Sequence, residues 1–124
     1  MPRVSPDGKS ILYLSSPKAF TGPQRIMRVG SGGDTPQAVM EVPAFGNFAC
    51  ARSPSNDCFV SQLSDDGKRL IFSAFDPMQG KPHEVLAIDI HLGALYNWMP
   101  SPDGSQIVFV LLYRSSRSVR AVLC

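Results

Sequence analysis

A short turn-and-strand unit occurs three times in this chain, and that recurrence constrains the fold more than any other feature. Ser5-Pro6-Asp7-Gly8-Lys9-Ser10-Ile11-Leu12-Tyr13-Leu14-Ser15 returns as Ser64-Asp65-Asp66-Gly67-Lys68-Arg69-Leu70-Ile71-Phe72-Ser73. It returns again as Ser101-Pro102-Asp103-Gly104-Ser105-Gln106-Ile107-Val108-Phe109-Val110. Repeats of this kind bury their apolar faces against one another, so they imply stacked, similar units. The first serines of the copies lie 59 and 37 residues apart. That unevenness predicts a longer outer loop or hairpin in one unit.

Each copy has a local physical reading. Serine suits the first position of a type I turn, proline presets φ at the second, aspartate tolerates the third, and glycine takes the place where φ turns positive. The three aspartates, Asp7, Asp66 and Asp103, then bond the backbone amides that follow them, which accounts for them without metal or catalysis. After each turn come apolar residues on both strand faces: Ile11 and Tyr13 against Leu12 and Leu14, Leu70 and Phe72 against Ile71, Ile107 and Phe109 against Val108 and Val110. Such strands lie between layers rather than on a half-wet sheet.

More strands follow from pattern. Gln24 to Val29 and Glu84 to Ile90 alternate and have one wetter face, while Gly30 to Asp34 forms a turn into an edge strand from Pro36 to Val42. A hairpin is predicted from Phe48–Arg52 and Cys58–Leu63 around Ser53-Pro54-Ser55-Asn56, which sets Cys50 and Cys58 opposite each other within disulfide range. A bridge and a pair of buried free thiols both remain open here. No window holds the i, i+3, i+4, i+7 spacing of a capped amphipathic helix. Leu, Ile, Val and Phe make up 33 of 124 residues, enough for one core, so residues 1–124 are read as a single all-β domain.

A Ser-Pro-Asp-Gly turn, a short aromatic-aliphatic strand, a further strand and then Gly-Gly resemble the WD-like repeat of TolB-type β-propellers. The likeness runs from Val4 to about Phe109. It is fullest at Ser5–Gly8 and Ser101–Gly104 and departs at Asp65, which stands where proline is usual. The stretch from Cys50 to Phe75-Asp76-Pro77 is similar to propeller regions of large bacterial regulators that follow a kinase or winged-helix domain. The resemblance implies antiparallel blades of an incomplete β-propeller. At roughly 40 to 45 residues per blade the chain supplies about two and a half to three of the roughly four to eight that close a ring. It further implies an open arc, a fragment of a larger bacterial sensory or signalling protein with no chemistry of its own. The alternative is the propeller portion of a prolyl-oligopeptidase-like serine hydrolase.

The remaining features narrow the function classes. A net charge of +2 is too small and scattered for a nucleic-acid footprint. The three arginines Arg114, Arg117 and Arg120 form a weak one, in a terminal segment read as a short final strand or an abnormal terminus. Met1-Pro2-Arg3-Val4 runs straight into the first turn without a leader pattern, and the longest apolar run, Ile107 to Tyr113, is far too short to span a membrane and reads as a buried strand. Three cysteines, Cys50, Cys58 and Cys124, lack paired metal-ligand spacing, and His83 and His91 fall at opposite ends of one predicted strand, too far apart to share an ion. Gly30-Ser31-Gly32-Gly33 is a turn rather than a nucleophile elbow. Trp98, Tyr96 and Tyr13 read as packing aromatics. The expectation is therefore no catalytic, cofactor or metal residue, no nucleic acid and no membrane insertion. Recognition of a protein partner or small ligand falls to loops at one end of the strands, with self-association through uncovered sheet faces.

Overall fold

The structure, a computed structural model, describes residues 2–16, 23–42, 46–90, 95–112 and 117–123. Side chains are described for these except 95, 96, 110–112 and 117–123. Among the described residues there is no helix, and eleven strands form three antiparallel sheets. The N-terminal sheet holds β1 (Arg3–Val4), β2 (Ser10–Ser15), β3 (Gln24–Gly30) and β4 (Gln37–Val42) in chain order. The middle sheet holds β5 (Asn47–Cys50), β6 (Cys58–Leu63), β7 (Arg69–Asp76) and β8 (Gly80–Asp89), also in chain order. The C-terminal sheet holds β9 (Leu95–Pro100), β10 (Gln106–Leu112) and β11 (Arg117–Leu123). Among the described residues no sheet closes on itself.

Packing follows from strand alternation in the middle sheet. Successive side chains of a strand point to opposite faces. Phe48, Cys58, Val60 and Phe75 accordingly meet Leu12, Ile26 and Val42 of the N-terminal sheet in one buried cluster. Ala49, Phe59, Leu70, Phe72 and Ala74 meet Trp98, Ile107 and Phe109 of the C-terminal sheet in a second. Both faces of the middle sheet are thus packed, although on β7 itself Ile71, read as the apolar residue opposing Leu70 and Phe72, is half-buried and lies in neither cluster. On β2 the both-faces-apolar reading holds on one face only, because Leu12 is fully buried while Ile11 is 39% exposed. The outward face of the N-terminal sheet has no described layer over it.

Trp98 joins the middle and C-terminal sheets. Its ring meets that of Phe72 edge to face, with centroids 5.1 Å apart at 85°. Its indole N–H donates to the buried Ser61 Oγ at 2.9 Å, and that hydroxyl donates in turn to the Asn47 carbonyl at 3.4 Å. A polar group inside this cluster is therefore satisfied on both sides, as burial demands.

The first strands of the sheets lie side by side, β5 next to both β1 and β9, and on the far side β4 meets β8. At that outer contact Gly80 has φ +80°, and a Cβ there would lie 2.5 Å from the Val39 carbonyl oxygen, so only glycine lets the two strands approach.

The three copies of the repeated turn do not occupy equivalent places. Ser5–Gly8 joins β1 to β2 and Ser101–Gly104 joins β9 to β10, whereas Ser64–Gly67 joins β6 to β7. Because the strands are antiparallel, the Ser64 turn lies at the opposite end of the middle sheet. The place equivalent to the other two turns is taken by the loop 51–57 between β5 and β6, containing Ser53-Pro54-Ser55-Asn56. Ser5, Ser53 and Ser101 are spaced 48 and 48 residues apart. The uneven spacing of the sequence motif therefore reflects a shift by one strand, rather than an extra outer loop.

Replacing Ser61 with Ala leaves the Trp98 N–H buried without an acceptor, and should cost about 1–3 kcal/mol in urea unfolding. Truncating Phe72 to Ala removes the ring from the same contact and should cost about 3–5 kcal/mol.

Candidate functional site

The three repeated turns share one hydrogen-bond scheme. In the first, Ser5 Oγ donates to Asp7 Oδ1 at 2.6 Å, the Lys9 amide donates to the same oxygen at 2.9 Å, and the Ser10 amide donates to Ser5 Oγ at 3.0 Å. The Ser64 turn repeats this with Asp66, Lys68 and Arg69 at 2.6, 3.0 and 3.1 Å. The Ser101 turn repeats it with Asp103, Ser105 and Gln106 at 2.7, 3.0 and 3.0 Å, and the Ser105 hydroxyl adds a bond to Asp103 at 2.7 Å. The turn glycines Gly8, Gly67 and Gly104 have φ of 74°, 71° and 75°. The structural reading of the aspartates is thus what the geometry shows.

These donors favour the charged carboxylate. The Ser5 hydroxyl and then the Lys9 amide hold Asp7 below its ordinary range, and the Ser64 hydroxyl and Lys68 amide do the same for Asp66. Asp103 is held down to about 2, first by the Ser105 amide and then by the Ser101 and Ser105 hydroxyls. In each turn it is the Oδ1 oxygen that takes these bonds.

The loop 51–57 is held differently. Cys50 and Cys58 are directly paired across the β5–β6 hairpin with Cα atoms 4.0 Å apart, and they form a disulfide. Of the two outcomes left open by the sequence, the structure contains the bridge. The loop it closes donates backbone bonds to both neighbouring turns, from the Arg52 amide to the Pro102 carbonyl at 2.8 Å and from the Ser53 amide to the Pro6 carbonyl at 3.2 Å. It packs so closely on the third turn that a Cβ at Gly104 would lie 2.8 Å from Ser55 Oγ. One disulfide-closed loop therefore ties together an end of all three sheets.

Beside this loop, where the first strands converge, lies a cleft of about 360 Å³ lined by Arg3, Val4, Ala49, Cys50, Arg52, Met99, Pro100 and Pro102. A second hollow of about 330 Å³ shares Arg3 and Met99 and extends to Asn97, Trp98 and Val108. Arg3 of the N-terminal sheet thus reaches residues of the C-terminal sheet across the inner edge of the middle one. The sequence reading missed Arg3, Arg52 and Met99. The available signal was the Ser53-Pro54 dipeptide, which shares its first two residues with the turns at Ser5 and Ser101.

The other sequence candidates are dispersed. His83 lies on β8 opposite Ala74, while His91, Cys124, Tyr113 and Arg114 fall outside the described residues, as do the side chains of Tyr96, Arg117 and Arg120. The terminal segment containing those two arginines forms β11. Among the described residues no three His, Cys, Asp or Glu side chains gather as a metal site, and no helix is long and apolar enough to cross a membrane. Gly30–Asp34 is a turn closed by the Gly30 amide donating to Asp34 Oδ1 at 2.6 Å. Trp98 is a packing residue, and Tyr13 is half-buried on β2. No family model and no curated protein matches this chain.

Two expectations follow from the turns and the bridge. Asp103 has a lowered folded-state pKa, so its contribution to stability is complete above the ordinary value of 3.8 and is lost as pH falls toward about 2. Stability measured by urea unfolding should therefore decline across that window, and Asp103→Asn should flatten the decline. Thiol titration of the denatured chain should find two thiols fewer before reduction than after, and the Cys50→Ala, Cys58→Ala variant should lose about 2–3 kcal/mol.

Proposed function

We propose that this chain is a non-catalytic segment of a TolB-type β-propeller, an open arc of three blades belonging to a bacterial sensory or signalling protein, and that it binds a protein or small ligand at one end of its strands. The observation that carries this reading is the gathering of three equivalent corners, 48 residues apart, around one cleft where the first strand of each sheet meets its neighbours. Sheets that radiate from adjacent first strands, each packed face to face on the next, are the arrangement a propeller requires. Three such sheets are fewer than the roughly four to eight that complete a ring. The outward face of the N-terminal sheet, with Val4 62% exposed opposite Ile11, is then where a further blade packs.

Binding is assigned to the end that holds loop 51–57, because scaffold-held loops carry recognition while the strands carry packing. The opposite end presents the Ser64–Gly67 turn, whose polar groups are satisfied internally. Asn56 and Asp65 are exposed at the two ends. A photo-crosslinking residue placed at Asn56 in the native cell should yield a discrete adduct, and the same residue at Asp65 should not. Adducts at Asp65 alone, or equal labelling at both positions, would contradict the assignment.

A further inference from the structure

We infer that the cleft between β1, β5 and β9 takes a carboxylate carrying an apolar chain, with Arg3 and Arg52 holding the carboxylate. This rests on the binding role proposed above and names the chemistry of its ligand. Side chains are described for five arginines, and three of them are engaged. Arg25 pairs with Glu41 at 3.7 Å and Arg69 with Asp89 at 3.6 Å. Arg28 donates to the Met78 carbonyl at 3.3 Å and to the Gln37 amide oxygen. Arg3 and Arg52 have no side-chain partner among the described residues, and both line the same cleft.

The cleft lining contains no Asp or Glu, and the nearby turn carboxylates of Asp7 and Asp103 accept bonds from their own serines and amides. Two arginines without a side-chain partner lining one hollow favour an anion, and the planar fork of a guanidinium matches a carboxylate. Apolar residues make up much of the remaining wall: Met99 is 59% exposed, and Pro100 and Pro102 stand beside it. A large apolar side chain held open to solvent next to unpaired cations suits an amphiphile better than a bare inorganic ion. The volume of about 360 Å³ lies in the range of small-ligand sites. The carboxylate could arrive on a free small acid or as the C-terminus of a peptide.

The test is a titration of the full oxidised chain with hexanoate, observed at the arginine Nε–H signals by NMR. Saturable shifts are expected at Arg3 and Arg52 while those of Arg25 and Arg69 stay in place. Hexanol and inorganic phosphate should each bind about tenfold more weakly, as should hexanoate to Arg3→Gln or Arg52→Gln, the loss of one charge-assisted contact. Acetyl-Ala-Leu with a free C-terminus, compared with its amide, distinguishes the sources: tighter binding than hexanoate, lost in the amide, assigns a peptide end, and weaker binding assigns a free acid. Non-saturating shifts spread over all arginines, phosphate binding as tight as hexanoate, or unchanged affinity in both variants would overturn the inference. Any of these would leave the crosslinking result at Asn56 standing on its own.

Discussion

The loop between Cys50 and Cys58 is the constraint on which the arrangement of the sheets depends. It is closed at its base by the disulfide, and from within that closure it donates a backbone bond to the turn on either side. Side-chain packing alone would let stacked sheets slide, because apolar contact is not directional. Two main-chain bonds from one short loop fix the level at which all three sheets end. The middle sheet supplies the rest, since its strands alternate between one buried cluster and the other.

From that constraint the character of the site follows. Once the corners are held together, the first strands converge and leave a hollow between them, and residues far apart in the chain, Arg3, Arg52 and Met99, come to share it. The repeated aspartates resemble a functional set only in sequence. In space each one organises its own turn, with Ser hydroxyl and backbone amides as its donors. Among the described arginines, the two that line the cleft are those without a side-chain partner, and the exposed Met99 stands beside them.

Much of this was legible in the residues. Alternation and turn chemistry located β3, β4, the β5–β6 hairpin and β10, and the symmetric placement of Cys50 and Cys58 set them opposite one another. What misled was the Ser64-Asp65-Asp66-Gly67 turn. It makes the same local hydrogen bonds as its counterparts through the same Ser, Asp and Gly, yet local bonding carries no information on which end of a sheet a turn occupies. The true counterpart, Ser53–Asn56, lacks the Asp-Gly pair, and the disulfide and the neighbouring turns hold its loop. The cleft arginines were illegible for a related reason: nothing in the neighbourhood of Arg3 or Arg52 along the chain distinguishes them from paired surface arginines such as Arg25.

In the arrangement proposed for this protein the sheets radiate from converging first strands rather than lying as flat parallel layers. Pulsed electron–electron distance measurement tests it most directly, with Cys124 replaced by serine, the disulfide intact, and spin labels at two pairs of positions. One pair, Val4→Cys with Met99→Cys, reports the first strands of the outer two sheets, and the other, Gln37→Cys with Ser118→Cys, reports their last strands. Radiating sheets predict a first-strand distance shorter than the last-strand distance by about 10 Å or more, whereas flat layers at the usual ~10 Å spacing would put both pairs at about 20 Å. Equal distances would contradict the arrangement proposed for this protein.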